Sequence, residues 1–102
     1  MLTKEQITEQ LKKVKDPELG YDIVNLGLIY EISSNNGAVD ILMTLTSPAC
    51  PAGDLLKNEM SKQLFKLPEV KSVNIQVTFS PPWNTEMLSE DLKKEFSILG
   101  LI

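Results

Sequence analysis

The residue best suited to chemistry in this sequence is Cys50, its single cysteine, which directly precedes Pro51 at the expected start of a helix. Unpaired N–H groups and the positive end of the helix dipole gather at such a start and favour a thiolate over a thiol. A thiolate binds soft metals and attacks disulfides. Free cysteines are also among the most buried residue types, so a packed, inert thiol is the competing reading. Asp16 and Glu18 flank Pro17, a rigid turn that could aim both carboxylates at one point. As two solvated acids behind a helix they would do no chemistry. Thr44 and Thr46 fall on the polar side of an expected strand that leads toward Cys50. They could hydrogen-bond a ligand or a reactive sulfur, or serve only as strand formers. Trp83 leaves the end of a later strand and could screen the thiol from water or plug a small core.

What the sequence lacks narrows the chemistry further. With no histidine in its 102 residues, Ser-His-Asp and Cys-His nucleophile systems and histidine-based zinc sites are excluded. Neither a Walker A loop nor a dinucleotide glycine fingerprint is present. One cysteine allows no intrachain disulfide, which suits a reducing cytoplasm. The net charge of −4 comes without a basic patch, so neither nucleic acid nor an anionic membrane is an expected partner. Met1 to Gln6 do not read as a signal peptide, and no apolar run approaches the roughly 20 residues that span a bilayer.

The elements that must position these residues are legible in the periodicity. Thr3 and Gln6 form a capping-box pair, flanked by Leu2 and Ile7. Ile7, Leu11 and Val14 then share one helical face, and Pro17 predicts an end near Lys15. A first strand is expected from Leu28 to Ser33, a hairpin turn at Ser34-Asn35-Asn36-Gly37, and a second strand from Ala38 to Thr46. A second helix from about Pro51 to Lys66 carries Ala52, Leu56, Met60 and Leu64, with Leu55 and Phe65 widening the stripe. Val73, Ile75, Val77 and Phe79 alternate with polar residues and predict a third strand. A last helix from Ser89 places Leu92, Phe96 and Leu99 together, and the apolar stretch Ile98–Ile102 is either packed on the domain, the favoured reading, or part of a subunit contact. The order α-β-β-α-β-α predicts a single α+β domain over 1–102. It is a two-layer sandwich with a small mixed sheet of about three strands and helices on one face.

Four blocks carry a family resemblance: Asp16-Pro17-Glu18; Val24 to Tyr30; Thr44 to Pro51; and Ser80-Pro81-Pro82-Trp83. In that order they resemble the SufT/PaaD-like metal–sulfur cluster assembly family, in its minimal single-domain form. The resemblance implies a sandwich similar to the C-terminal domain of NifU-type proteins. It also implies an accessory, non-enzymatic role in iron–sulfur cluster assembly or delivery, alongside SUF machinery and client apo-proteins. Carried over residue by residue, it makes Cys50 the reactive thiol. Asp16, Glu18, Thr44, Thr46, Ser47 and Trp83 become its surroundings. A common cluster takes about four protein ligands, and one chain offers one thiolate. The cofactor expectation is therefore transient iron or a transient iron–sulfur cluster, with no stable cofactor; a homodimer would supply only a second thiolate. A thiol or persulfide-transfer protein and an adaptor with an inert cysteine are the rival functions.

Overall fold

The fold rests on two local signals that set its ends, a helix cap and a hairpin turn. In the computed structural model, residues 2–17, 19–46 and 53–100 are described. Thr3 accepts the Gln6 N–H while the Gln6 side chain accepts the Thr3 N–H, closing the capping box of helix α1 (Lys4–Leu11). Asn36 and Gly37 both take positive φ, 52° and 87°, and turn strand β1 (Ile29–Asn35) into β2 (Ala38–Met43). Helix α2 (Gly53–Leu64) crosses to β3 (Ser72–Val77), and a 3-10 turn (Thr85–Met87) leads to α3 (Glu90–Ile98), capped by Ser89.

The sheet order is β1-β2-β3, with β1 antiparallel and β3 parallel to β2. Along β2, Val39, Ile41 and Met43 are buried while Asp40 is exposed. In register across from them stand Val73, Ile75 and Val77 of β3. The helices cover this apolar face: α1 packs on β1, α2 on β3, and the two helices on each other. Ile7 and Leu11 from α1, with Leu56, Met60 and Leu64 from α2, close the core. The α+β sandwich with a three-stranded mixed sheet is therefore the architecture the periodicity predicts.

Several boundaries differ from the expectation. Helix α1 ends at Leu11, not near Lys15. Lys13 and Val14 make tighter bonds to Gln10 and Leu11, and then Val14 O accepts the Ile23 N–H and Lys15 bridges Asp22. A strand-like partner captures the residues that Pro17 alone was expected to stop. β2 ends at Met43, short of Thr46, although the Thr44 N–H still donates to Leu28 O, just upstream of β1. Leu55 and Phe65 are each 52% exposed. Neighbouring residues on a helix are rotated by about 100°, so both leave the face that Leu56 and Leu64 define. Ile98 is 85% and Leu99 59% exposed, so neither packs on the domain; Leu101 and Ile102 lie outside the described residues. Val73, Ile75 and Val77 are only half-buried because β3 is an edge strand.

Candidate functional site

A single stretch, Asp22 to Leu28, organises the end of the sheet where β2 and β3 finish. The Asp22 carboxylate accepts the N–H groups of Val24 and Asn25 at 3.1 and 2.9 Å, and the Asn25 side-chain amide at 2.6 Å. That is the behaviour of an N-cap, and one helical turn follows. Gly27 ends it at φ +78°, with Leu28 N–H on Ile23 O and Gly27 N–H on Val24 O, the paired bonds of a Schellman stop. Leu26 and Leu28 point into the core.

The free carbonyls of this capped turn hold the candidate residues. Leu28 O accepts the Thr44 N–H at 2.8 Å. Leu26 O accepts the Trp83 indole N–H at 2.7 Å. Ile23 N–H binds Val14 O, two residues before Asp16. Thr44, Trp83 and the segment leading into Asp16 are thus tied to one seven-residue unit that links three sequence blocks. Phe replacing Trp83 leaves the Leu26 carbonyl without this donor. Trp83→Phe is expected to lose about 1 kcal/mol of stability in urea unfolding followed by circular dichroism; an unchanged midpoint would contradict a structural tie.

Asp16 and Thr44 are both wholly buried, which removes the reading of Asp16 as a solvated acid and of Thr44 as a solvent-facing strand former. Burying a carboxylate is costly without hydrogen bonds. The Asp16 side chain accepts the Leu19 N–H at 3.1 Å, while its backbone N–H binds Tyr21 O and its carbonyl the Gly20 N–H. The turn is therefore folded around Asp16. Thr46 is half-buried, and Trp83 packs partly buried against the core. Tyr30 Oη donates to Pro81 O at 2.8 Å, fixing the segment that delivers Trp83. Burial and the nearby Glu95 carboxylate push the Tyr21 phenol above its ordinary value, so Tyr21 stays a neutral donor and not a base.

Glu18, Ser47 and Cys50 lie outside the described residues. Among the described residues, no group of three or more acidic or cysteine side chains could hold a metal ion. No described helix is long and apolar enough to cross a membrane. Sequence reasoning missed Asp22 and Gly27 as the site's supports. The signal was present as an Asp, two residues ahead of Val24, that could cap, followed by a Gly at the stop position of a single turn.

Comparison with known proteins places these features in context. Residues 4–77 match a family model described as iron-sulfur cluster assembly protein. The chain is 44% identical over 91 residues to the Fe-S protein maturation auxiliary factor YitW of Bacillus subtilis, covering 88% of this chain and 89% of the relative. It is 41% identical over 81 residues to the Fe-S protein maturation auxiliary factor SufT of Staphylococcus aureus, covering 78% and 92%. A crystal structure of a domain of unknown function, DUF59, from Bacillus anthracis superposes with a TM-score of 0.87 at 38% identity, covering 92% of this chain and 91% of that one.

Proposed function

This chain belongs to the iron–sulfur cluster assembly family, and from that premise we propose that it is an accessory factor for assembling or delivering clusters through Cys50. The observation that carries the reading is the family match across 4–77, a span that includes Asp16, Thr44, Thr46 and Cys50. Relatives that this chain covers nearly end to end are named as maturation auxiliary factors, which supports a role other than turnover of a metabolite.

The thiolate of Cys50 coordinates iron, alone or within an iron–sulfur cluster, as cargo, and the remaining ligands come from the donor or the client. A single thiolate holds such cargo only briefly, because a common cluster takes about four protein ligands. Transient contact is what delivery requires: a carrier that supplied every ligand would retain what it has to release. Asp16, Glu18, Thr44, Thr46, Ser47 and Trp83 surround the thiol in this reading. Support comes from the bonds that draw Thr44, Trp83 and the segment before Asp16 to the Asp22–Leu28 unit. Partners are the iron–sulfur machinery and client apo-proteins, in a reducing cytoplasm where the lone thiol stays reduced.

Activation of an apo client is the functional test. An apo-dehydratase that needs a cluster is mixed anaerobically with limiting ferrous iron, sulfide and thiol, with and without this chain. Faster recovery of client activity with wild type than with Cys50→Ser is expected. Equal recovery with and without the wild-type chain would overturn the proposal.

A further inference from the structure

The two edges of the sheet are built differently. β1 has an irregular register between Ile29 and Glu31, a charged side chain at Glu31, and polar Ser33-Ser34-Asn35 toward its tip. Bulges and charges are the features that keep an edge strand from pairing with another. β3 has none of them. Its sequence, Ser-Val-Asn-Ile-Gln-Val, holds no charge and no proline. Its register with β2 runs unbroken from Ser72 to Val77.

The free hydrogen-bonding groups of β3 can be assigned by parity. Ser72 N–H donates to Gly37 O and Thr78 N–H to Met43 O, so the even-numbered residues serve β2. Successive residues of a strand direct their N–H and C=O groups to opposite sides. The groups of Val73, Ile75 and Val77 therefore point outward, where none of the described residues forms a backbone hydrogen bond with them. The side chains of the same three residues face the core yet remain half-exposed, and Phe79, next in the alternation, is 39% exposed.

We propose that β3 is the surface through which two copies of this chain pair, antiparallel, about a two-fold axis at Ile75, giving one continuous six-stranded sheet. Directly opposed residues in an antiparallel pair share a face, so the axis must pass through a residue and not between two. At Ile75 it sets Ile75 against the partner's Ile75, Val73 against the partner's Val77, and Asn74 against the partner's Gln76. Apolar side chains then meet apolar ones on the core face, and amides meet amides on the open face.

Charge selects the same contact. Each copy carries −4, so two copies repel through most of their surface. Ser72 to Thr85 contains no charged residue, and β3 opens that stretch. Pairing about a two-fold also closes: it consumes both unprotected edges and leaves only the two guarded β1 edges outside. Because β2 and β3 are parallel, the strand ends that carry Thr44, Thr46 and Trp83 fall at opposite ends of the joined sheet. On the reading given under Proposed function, each copy then handles cargo with its own Cys50 and nothing is shared across the axis. The pairing itself does not depend on that reading.

The test combines sedimentation velocity over a micromolar-to-millimolar series with residue-resolved amide exchange. Asn74 and Gln76 are exposed on the open face, so both can be changed without touching the core. Asn74→Lys with Gln76→Lys sets like charges opposite each other twice per dimer; Asn74→Lys with Gln76→Glu sets opposite charges there. Wild type is expected to dimerise, with exchange at Val73, Ile75 and Val77 slowing as dimer forms. The lysine pair should raise the dimer dissociation constant about tenfold over the Lys/Glu pair, with circular dichroism unchanged in both. A wild-type monomer throughout, with fast exchange at those three amides, would overturn the proposal. So would a dimer on which the two double variants act alike, or protection of those amides that appears only when an extended apolar peptide is added.

Discussion

Gly27→Ala is expected to lower the unfolding free energy by about 3 kcal/mol or more, a large share of what a small domain possesses. Two independent costs fall on one methyl group. Gly27 sits at φ +78°, where a side chain is strained in any surroundings. A Cβ there would also strike the backbone of Met87, atoms that cannot rotate aside as a side chain would. Relief requires the 3-10 turn to move. That turn contacts Tyr30 through the Met87 sulfur, and it follows the segment that delivers Trp83. Urea unfolding followed by circular dichroism measures the loss, and the tryptophan emission, which has a single source in this chain, reports on the end of the sheet. A loss under about 1 kcal/mol would mean that the turn and Met87 are not locked together as described.

Leu56→Ala is expected to cost about 2–5 kcal/mol. Leu56 is 1% exposed in α2, the helix that packs on both α1 and β3. Truncating it removes apolar contacts and leaves a cavity that neighbours on two elements cannot both fill. Leu55→Ala, one position along, serves as the control, because Leu55 is half exposed and should change stability by no more than about 0.5 kcal/mol. Equal losses for the two would reverse the assignment of the helix face.

The periodic elements were legible because each carries a local signal. The Thr3–Gln6 box, the Asn36-Gly37 turn and the Ser89 cap each depend on residues a few positions apart. The alternation of Val73, Ile75 and Val77 revealed a strand but not that its neighbour is missing on one side, since an edge is decided by the order of the sheet. Exposure of Ile98 and Leu99 was illegible for the same reason: an apolar residue predicts burial only when another element arrives to cover it. Leu55 and Phe65, by contrast, stand about 100° off the Leu56–Leu64 face, an offset the helical spacing already carries. Of the site, Asp16, Thr44 and Trp83 could be named from type and position. What holds them could not. The Leu26 and Leu28 carbonyls are backbone groups that any residue would supply, and their partners lie 57 and 16 positions downstream.

Cys50 as the point of contact with cargo is the central claim, and anaerobic reconstitution tests it most directly. Wild type and Cys50→Ser are loaded with limiting ferrous iron and sulfide beside a small thiol and compared by visible absorption without a desalting step, because one thiolate holds cargo only briefly. Sulfur-to-iron charge-transfer bands that are stronger with the wild type than with Cys50→Ser are the predicted result. Equal bands with the two proteins would contradict it.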